Sequence, residues 1–282
     1  MDRKRYFMRF LHVLTCNLDR HIKHVIVRRM HRNLRARQFA YLREHHPRLP
    51  DVACPICGGD DCRPVHYWFE RNTIAKSFCA RCCHVWSVLD LPRNTARAVE
   101  LFNYKNPSRF YQTEKRIIVS LVRQSGLSQG RFLDFGIGGN LSALTEAAAQ
   151  LGPRYQLFAC DLPKRDGIAN YFTTYQDDAK LGTFDGICSS EVIEHLDDTI
   201  KTWLYMNRLL RPIAQGGGSM LHVFPSNLDL HMNDTMVIIG SHICVFSAES
   251  LRVLCEKSGF HLARVSHRRF MPEFRFEKIR DV

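Results

Sequence analysis

The run Arg131-Phe-Leu-Asp-Phe-Gly-Ile-Gly-Gly-Asn140 sets the architecture of everything after it. It opens as a buried strand, Arg131 to Asp134, and passes into a glycine loop. A helix from Leu141 to Leu151 follows at once. Gly136, Gly138 and Gly139 let the backbone turn sharply and approach a ligand closely, because no Cβ intervenes. The helix N-terminus beyond them offers free N–H groups. The same pattern also serves as a plain strand-to-helix turn, so the flanking chain must decide whether it holds a cofactor.

Downstream, strand and helix patterns alternate, which predicts an α/β domain with a mainly parallel sheet over 131–282. Gln156 to Cys160 reads as the second strand, Tyr171 to Thr174 as the third and Phe184 to Ser189 as the fourth. The region Val192 to Leu196 reads as helix-forming, and a further helix spans Thr199 to Leu210. Gly216-Gly-Gly218 turns the chain into a fifth strand, Ser219 to Phe224. After a helix from Ala248 to Ser258, His261 to Ser266 and Arg275 to Ile279 suit an antiparallel hairpin at one sheet edge.

Open α/β sheets bind ligands outside the carboxyl ends of their strands. Asp134, Asp161, Asp177, Asp178 and Glu191 all fall there. Asp161 is placed to accept hydrogen bonds from two ribose hydroxyls. A nucleoside-bearing cofactor fits across this edge. The loop Pro225 to Asp234, with His231 and Asp234, follows the fifth strand and is expected to face substrate.

Upstream, six of the eleven cysteines lie between residues 54 and 83. Cys54-x-x-Cys57 and Cys79-x-x-Cys82 form two knuckles 21 residues apart. Four thiolates from two knuckles make a closed tetrahedral site, which predicts a structural zinc in a ribbon spanning 51–90. His66 to Glu70 and Ile74 to Phe78 suit its short strands; Cys62, Cys83 and His84 are near enough to serve as alternative ligands. Residues 91–130 read as a linker with a leading helix, Thr113 to Gln124.

The net charge of +12 is concentrated at one end, with 13 Lys/Arg against 3 Asp/Glu in residues 1–50. Phe7, Leu11, Leu14, Leu18, Ile22 and Val25 share one helical face within 1–46, ringed by arginines and lysines. This basic arm has three readings: a helix packed on the main domain, a helix lying on an anionic membrane surface, or an RNA-binding arm. No apolar run approaches the ~20 residues of a membrane span. No cleavable leader is visible either, so the expected compartment is the cytoplasm.

With these residues in place, 110–282 resembles the class I S-adenosylmethionine-dependent methyltransferases. The resemblance rests on Leu133-Asp-Phe-Gly-Ile-Gly138, Cys160-Asp161, Phe184-Asp-Gly-Ile187, Glu191-Val-Ile-Glu-His-Leu196 and His242 to Leu251. It implies a doubly wound, seven-stranded, mostly parallel Rossmann-like sheet. Asn140 stands where the family has its third glycine, and Asp134 and Asp161 are further apart than in the analogous dinucleotide motif. By the resemblance, Asp134, Gly136 and Gly138 border the methionine part of the cofactor. Asp161 and Glu191 also belong to the cofactor site, and Asp177 or Asp178 approaches the adenine.

Glu191-x-x-Glu194-His195 with the later His242 also resembles the metal segment of two methyltransferase groups. One methylates hydroxyls in the ubiquinone pathway; the other methylates the terminal ribose of small RNAs. That implies an open divalent metal site which binds adjacent substrate hydroxyls. Methyltransferases without metal carry Glu-His-Leu at the same place, where the histidine serves as base or only orients the loop, so His195 or His242 is the alternative proton acceptor. A four-cysteine zinc module ahead of such a domain resembles bacterial sugar methyltransferases, and some ribosomal RNA methyltransferases begin with a zinc ribbon. The expected substrate is thus a hydroxylated small molecule or glycan intermediate. An RNA substrate and a non-catalytic scaffold are the alternatives.

Overall fold

The computed structural model describes residues 52–69, 72–87, 107–137, 141–161, 171–173, 183–196, 198–225, 242–267 and 272–282. The basic arm, Gly138, Asp177, Asp178, His231 and Asp234 lie outside them.

The described residues form two sheets. The first begins with the hairpin β1 (Cys62–Phe69) and β2 (Asn72–Cys79), followed by the short β3 (Val85–Trp86). The main unit then runs α1 (Pro107–Ser125), β4 (Gly130–Phe135), α2 (Leu141–Leu151), β5 (Tyr155–Asp161), β6 (Tyr171–Thr173) and β7 (Gly186–Ser190). It continues with α3 (Thr199–Leu209), β8 (Ser219–Val223), β9 (Cys244–Val245), α4 (Ala248–Ser258), β10 (Phe260–His267) and β11 (Pro272–Lys278).

The main sheet has the order β6-β5-β4-β7-β8-β11-β10 among the described residues. Its members are parallel except β11, which runs antiparallel to both β8 and β10. This is the expected doubly wound, mostly parallel sheet of seven strands, with the expected hairpin at one edge. The strand order reverses between β4 and β7, the switch point where such sheets bind ligands.

Alternation along β4 explains the layering. Phe132 joins Leu157, Leu221 and the α1 residues Ile117, Ile118, Leu121 and Val122 on one face. Leu133 and Phe135 point the other way, into a core with Ile187, Met220, Trp203 of α3 and Leu251 and Leu254 of α4. Trp203 meets the rings of Phe260 and Phe276 edge-on at 5.7 and 4.7 Å. At the amino ends of the strands, Asp185 accepts from the Arg131 amide at 2.7 Å and pairs with Arg211. It therefore staples β4 to β7 at the edge opposite Asp134.

Two local expectations are corrected. The leading helix starts at Pro107, not Thr113. Proline is tolerated there because the first-turn N–H groups have no partner within the helix. The segment Val192 to Leu196 is not an α-helix; it holds a 3-10 turn, Ile193–His195. The amide of Glu191 bonds to the Val223 carbonyl at 2.9 Å, so Glu191 still follows the sheet. The chain then turns through a left-handed Glu191, φ 56°, which is incompatible with a continuous helix.

The small sheet has the order β1-β2-β3-β9. Its last strand, Cys244–Val245, comes from the main unit and pairs antiparallel with Val85 and Trp86. Ile56, Trp86, Phe246 and Leu251 belong to one apolar cluster, so the cysteine segment shares its core with the α/β unit.

Candidate functional site

The carboxyl edge of the main sheet gathers several of the expected residues. Asp134 is the fifth residue of β4 and faces Ala159 of β5 and Cys188 of β7 in register. The amides of Gly136 and Ile137 both donate to the Cys160 carbonyl, at 2.8 and 3.3 Å. This folds the glycine loop over the end of β5, beside Asp161. Gly136 has φ 80°, a conformation natural to glycine. A Cβ built there would lie 2.6 and 2.7 Å from the Val192 methyls. The loop after β4 thus packs directly on the turn after β7.

Asp134 is buried, and its Oδ2 has no hydrogen-bond partner. Glu114 of α1 reaches it from the helix side and is equally buried. Burial, with the neighbouring Asp134 charge, pushes Glu114 well above the ordinary carboxylate range. Burial raises Asp134 to about 7, although the Glu114 hydrogen bond works the other way. Of the two, Glu114 is pushed further toward its protonated form, and the pairing favours the charge on Asp134. Sequence reasoning missed Glu114. Its signal was a lone carboxylate on the apolar α1 stripe, three and four residues before Ile117 and Ile118.

This acid pair has a consequence for stability. The folded chain holds protons that the unfolded chain releases near pH 4, so stability falls as pH rises from about 4 through about 7. Denaturant unfolding without cofactor should show a loss on the order of 4 kcal/mol across that window from Asp134 alone. Glu114→Gln should flatten the slope. A curve that rises through the same window, or a slope unchanged in the variant, contradicts the pairing.

The second group forms at the turn after β7. Glu194, His195 and His242 bring one ligand atom each within 4.8 Å of one another. The imidazoles of His195 and His242 meet edge-on at 5.0 Å. His195 Nε2 lies 3.9 Å from Glu194 Oε1. Glu194 and His242 are both fully buried, and neither Glu194 oxygen has a hydrogen-bond partner. Burial and the Glu191 charge push Glu194 well above its ordinary range. Burial raises Glu191 to about 7. The expected four-residue cluster is thus reduced to three. Glu191 interacts with Glu194 but stands outside the group, because its left-handed backbone aims it differently from a helical residue.

The four expected cysteines, Cys54, Cys57, Cys79 and Cys82, also converge within 4.8 Å and can hold a metal ion. The Sγ–Sγ separations of Cys54–Cys82 and Cys57–Cys79 are 3.6 and 3.5 Å. A tetrahedral zinc with sulfur at about 2.3 Å needs edges of roughly 3.8 Å. The Gly59 amide points at Cys57 Sγ from 3.3 Å, as at a thiolate ligand. Hydrogen bonds from Cys54, then Cys82, hold Cys79 far below its usual thiol range; Cys54 and Cys82 are pushed up. Cys62 instead donates to the Gly59 carbonyl, and burial pushes it to about 12, so it behaves as a thiol. His84 stacks on Trp86 at 5.7 Å, and burial lowers it to about 3.

One further residue was not foreseen. Lys76 of β2 is buried and donates its Nζ to the backbone carbonyl of His242. The partners lie 166 positions apart, so no local pattern announces them.

The chain matches the family described as Methyltransferase domain over residues 108–265. Among solved structures it is similar to a SAM-dependent methyltransferase from Aquifex aeolicus. That similarity has 15% identity, covers 66% of this chain and 98% of the other, and has a TM-score of 0.46. It is also similar to an S-adenosylmethionine-dependent methyltransferase from Clostridium acetobutylicum ATCC 824. There the identity is 14%, the coverage 60% and 92%, and the TM-score 0.41. No curated protein matches the chain. Among the described residues, no helix is long and apolar enough to cross a membrane.

Proposed function

We propose an acceptor and a chemistry for this chain, which belongs to the methyltransferase domain family and is a class I S-adenosylmethionine-dependent methyltransferase. The acceptor is a hydroxyl of a small molecule or glycan intermediate, handled by Glu194, His195 and His242. The observation that carries this reading is that group itself. It is a buried carboxylate with both oxygens lacking hydrogen-bond partners, facing two imidazoles, on the turn that packs against the glycine loop.

The residues present fit the cofactor. Asp134 offers a buried oxygen with no partner to a cationic group, and Asp161 stands at the end of β5 to take ribose hydroxyls. Gly136 borders the methionine portion; Gly138, Asp177 and Asp178 are assigned to the same site from the sequence. S-adenosylmethionine, when bound, supplies a methyl group already electrophilic. The protein must orient an oxygen in line with it and accept the hydroxyl proton. Glu194, His195 and His242 could hold a divalent cation, which would supply Lewis-acid activation of a substrate hydroxyl. Without such an ion, His195 or His242 receives the proton at a ring nitrogen. Glu191, held at the sheet edge beside that group, is assigned to the cofactor site. We assign zinc to Cys54, Cys57, Cys79 and Cys82 as a structural ion.

Isothermal titration should find S-adenosylmethionine binding that weakens at least tenfold in Asp161→Ala, since two charge-assisted hydrogen bonds are lost. Unchanged affinity there would remove the cofactor assignment at β5. Methyl transfer from labelled cofactor into small-molecule, glycan and RNA fractions then separates the acceptors.

The charge of residues 1–50 favours a second reading, an RNA substrate. In that case binding falls steeply with salt and on deleting residues 1–46. Salt-insensitive transfer to a sugar excludes it.

A further inference from the structure

We infer that Lys76 is a positioning residue for methyl transfer, a side chain of the cysteine module that fixes His242 opposite Glu194 and His195. The inference rests on the reading of those three residues as the group that handles substrate.

Backbone pairing brings the module close to His242 but stops short of it. Val85 and Trp86 pair with Val245 and Cys244. The Ser87 amide donates to the Ile243 carbonyl at 2.9 Å, which carries the ladder one step further. The His242 carbonyl lies beyond that last backbone bond, and Lys76 supplies a donor to it by side chain. The ladder therefore reaches the functional residue through Lys76.

The same short segment is tied on its other side to the turn that carries Glu194 and His195. Cys244 Sγ approaches the Leu196 carbonyl and Thr199 Oγ1, each at 3.6 Å. Ser247 anchors the far end. Its hydroxyl donates to the Cys82 carbonyl at 2.6 Å and accepts from the Ser250 amide at 3.0 Å as the cap of α4. Residues 242–247 thus run between the four-cysteine site and the turn, and the position of His242 depends on both.

Stability alone does not explain a lysine here. Lys76 is 2% exposed, and burying an ammonium is expensive unless it gains strong partners. An apolar side chain of similar length would fill the space without that penalty. What it would not do is hold the His242 carbonyl. The role is that of an outer partner which orients a ligand or base by gripping its backbone.

The test uses the full chain loaded with zinc, with manganese(II) alone as the probe. Wild-type protein should bind manganese by electron paramagnetic resonance, and Glu194→Gln should abolish binding. Lys76→Met should weaken it about tenfold or more while zinc content and S-adenosylmethionine affinity stay unchanged. Carbon–proton spectra of the histidine rings, with His242 assigned by His242→Asn, give a reading that needs no manganese. Lys76→Met should shift or broaden the His242 signals and leave those of His222 in place. If wild type binds no manganese but Lys76→Met still displaces His242, the metal reading fails and the positioning role stands. Unchanged His242 signals in Lys76→Met overturn the proposal. Should that variant not fold, Lys76→Gln, one atom shorter, takes its place: His242 signals displaced from their wild-type positions support the role, and unchanged signals in it are equally decisive.

Discussion

Cys82→Ser should reduce bound zinc from about one ion per chain to almost none and lower the melting temperature by on the order of 10 °C. Zinc binding is worth roughly 10–16 kcal/mol in isolated zinc-finger peptides, and three thiolates cannot close the tetrahedron. Only part of that is lost here, because Ile56 and Trp86 also pack in the core of the α/β unit. Cys82 is the most informative ligand to remove because its carbonyl also receives the Ser247 hydroxyl. Its loss should loosen the cap of α4 and the strand that carries His242, so damage at the cysteine site should be visible in the histidine group. A loss of about 4 kcal/mol corresponds to the stated change in melting temperature for a chain of this size. Metal analysis and calorimetry on the same sample check both parts. A variant that keeps its metal, or loses it with an unchanged melt, would show that the four thiols do not support the fold.

Gly136→Ala should weaken S-adenosylmethionine binding by about a hundredfold and destabilise the chain by roughly 3 kcal/mol. Two penalties add. An L-residue at φ 80° is strained by about 1–2 kcal/mol. The new methyl must also displace Val192, whose two methyls would lie 2.6 and 2.7 Å away, and such overpacking costs about 1–3 kcal/mol. Val192 has little freedom to retreat, since the left-handed Glu191 precedes it and the 3-10 turn follows. Adding Val192→Ala should restore the packing part and leave the backbone part, a coupling that a double-mutant cycle measures. Wild-type affinity and stability in Gly136→Ala would mean that the loop moves away from the turn at no cost.

The parts of this protein readable from its sequence are those governed by local rules. Short apolar runs between turn residues placed β4, β5, β7 and β8, because strands of a parallel sheet are buried on both faces. The four cysteines could be named because two knuckles of fixed spacing can present thiolates to one ion wherever the rest of the chain goes. The strand-end rule brought Asp134 and Asp161 together without any contact information. Local rules misled at Glu191–Leu196. Three- and four-residue spacing suggested one helical face, but the Glu191 amide is held by Val223 and Val192 is wedged against Gly136. Tertiary contacts there dictate a tighter turn. The rest was illegible because it joins distant positions. Lys76 reads as an ordinary strand lysine until His242 is beside it, and Cys244–Val245 is too short to show any period. Glu114 lies on the apolar stripe of α1, but nothing local says that this stripe ends against Asp134.

The borrowing of β9 by the small sheet bears on protein engineering. A cysteine module expected over residues 51–90 invites deletion, or transplantation onto another catalytic unit. In this chain the cut would leave Cys244–Val245 as a raw sheet edge, flanked by the buried side chains of Ile243 and Phe246. Exposed apolar edges recruit other strands, including those of identical molecules. Truncated versions should therefore be sticky as well as misassembled. A chimera designed to remain monodisperse would have to carry residues 242–247 together with the cysteine module, as one discontinuous unit.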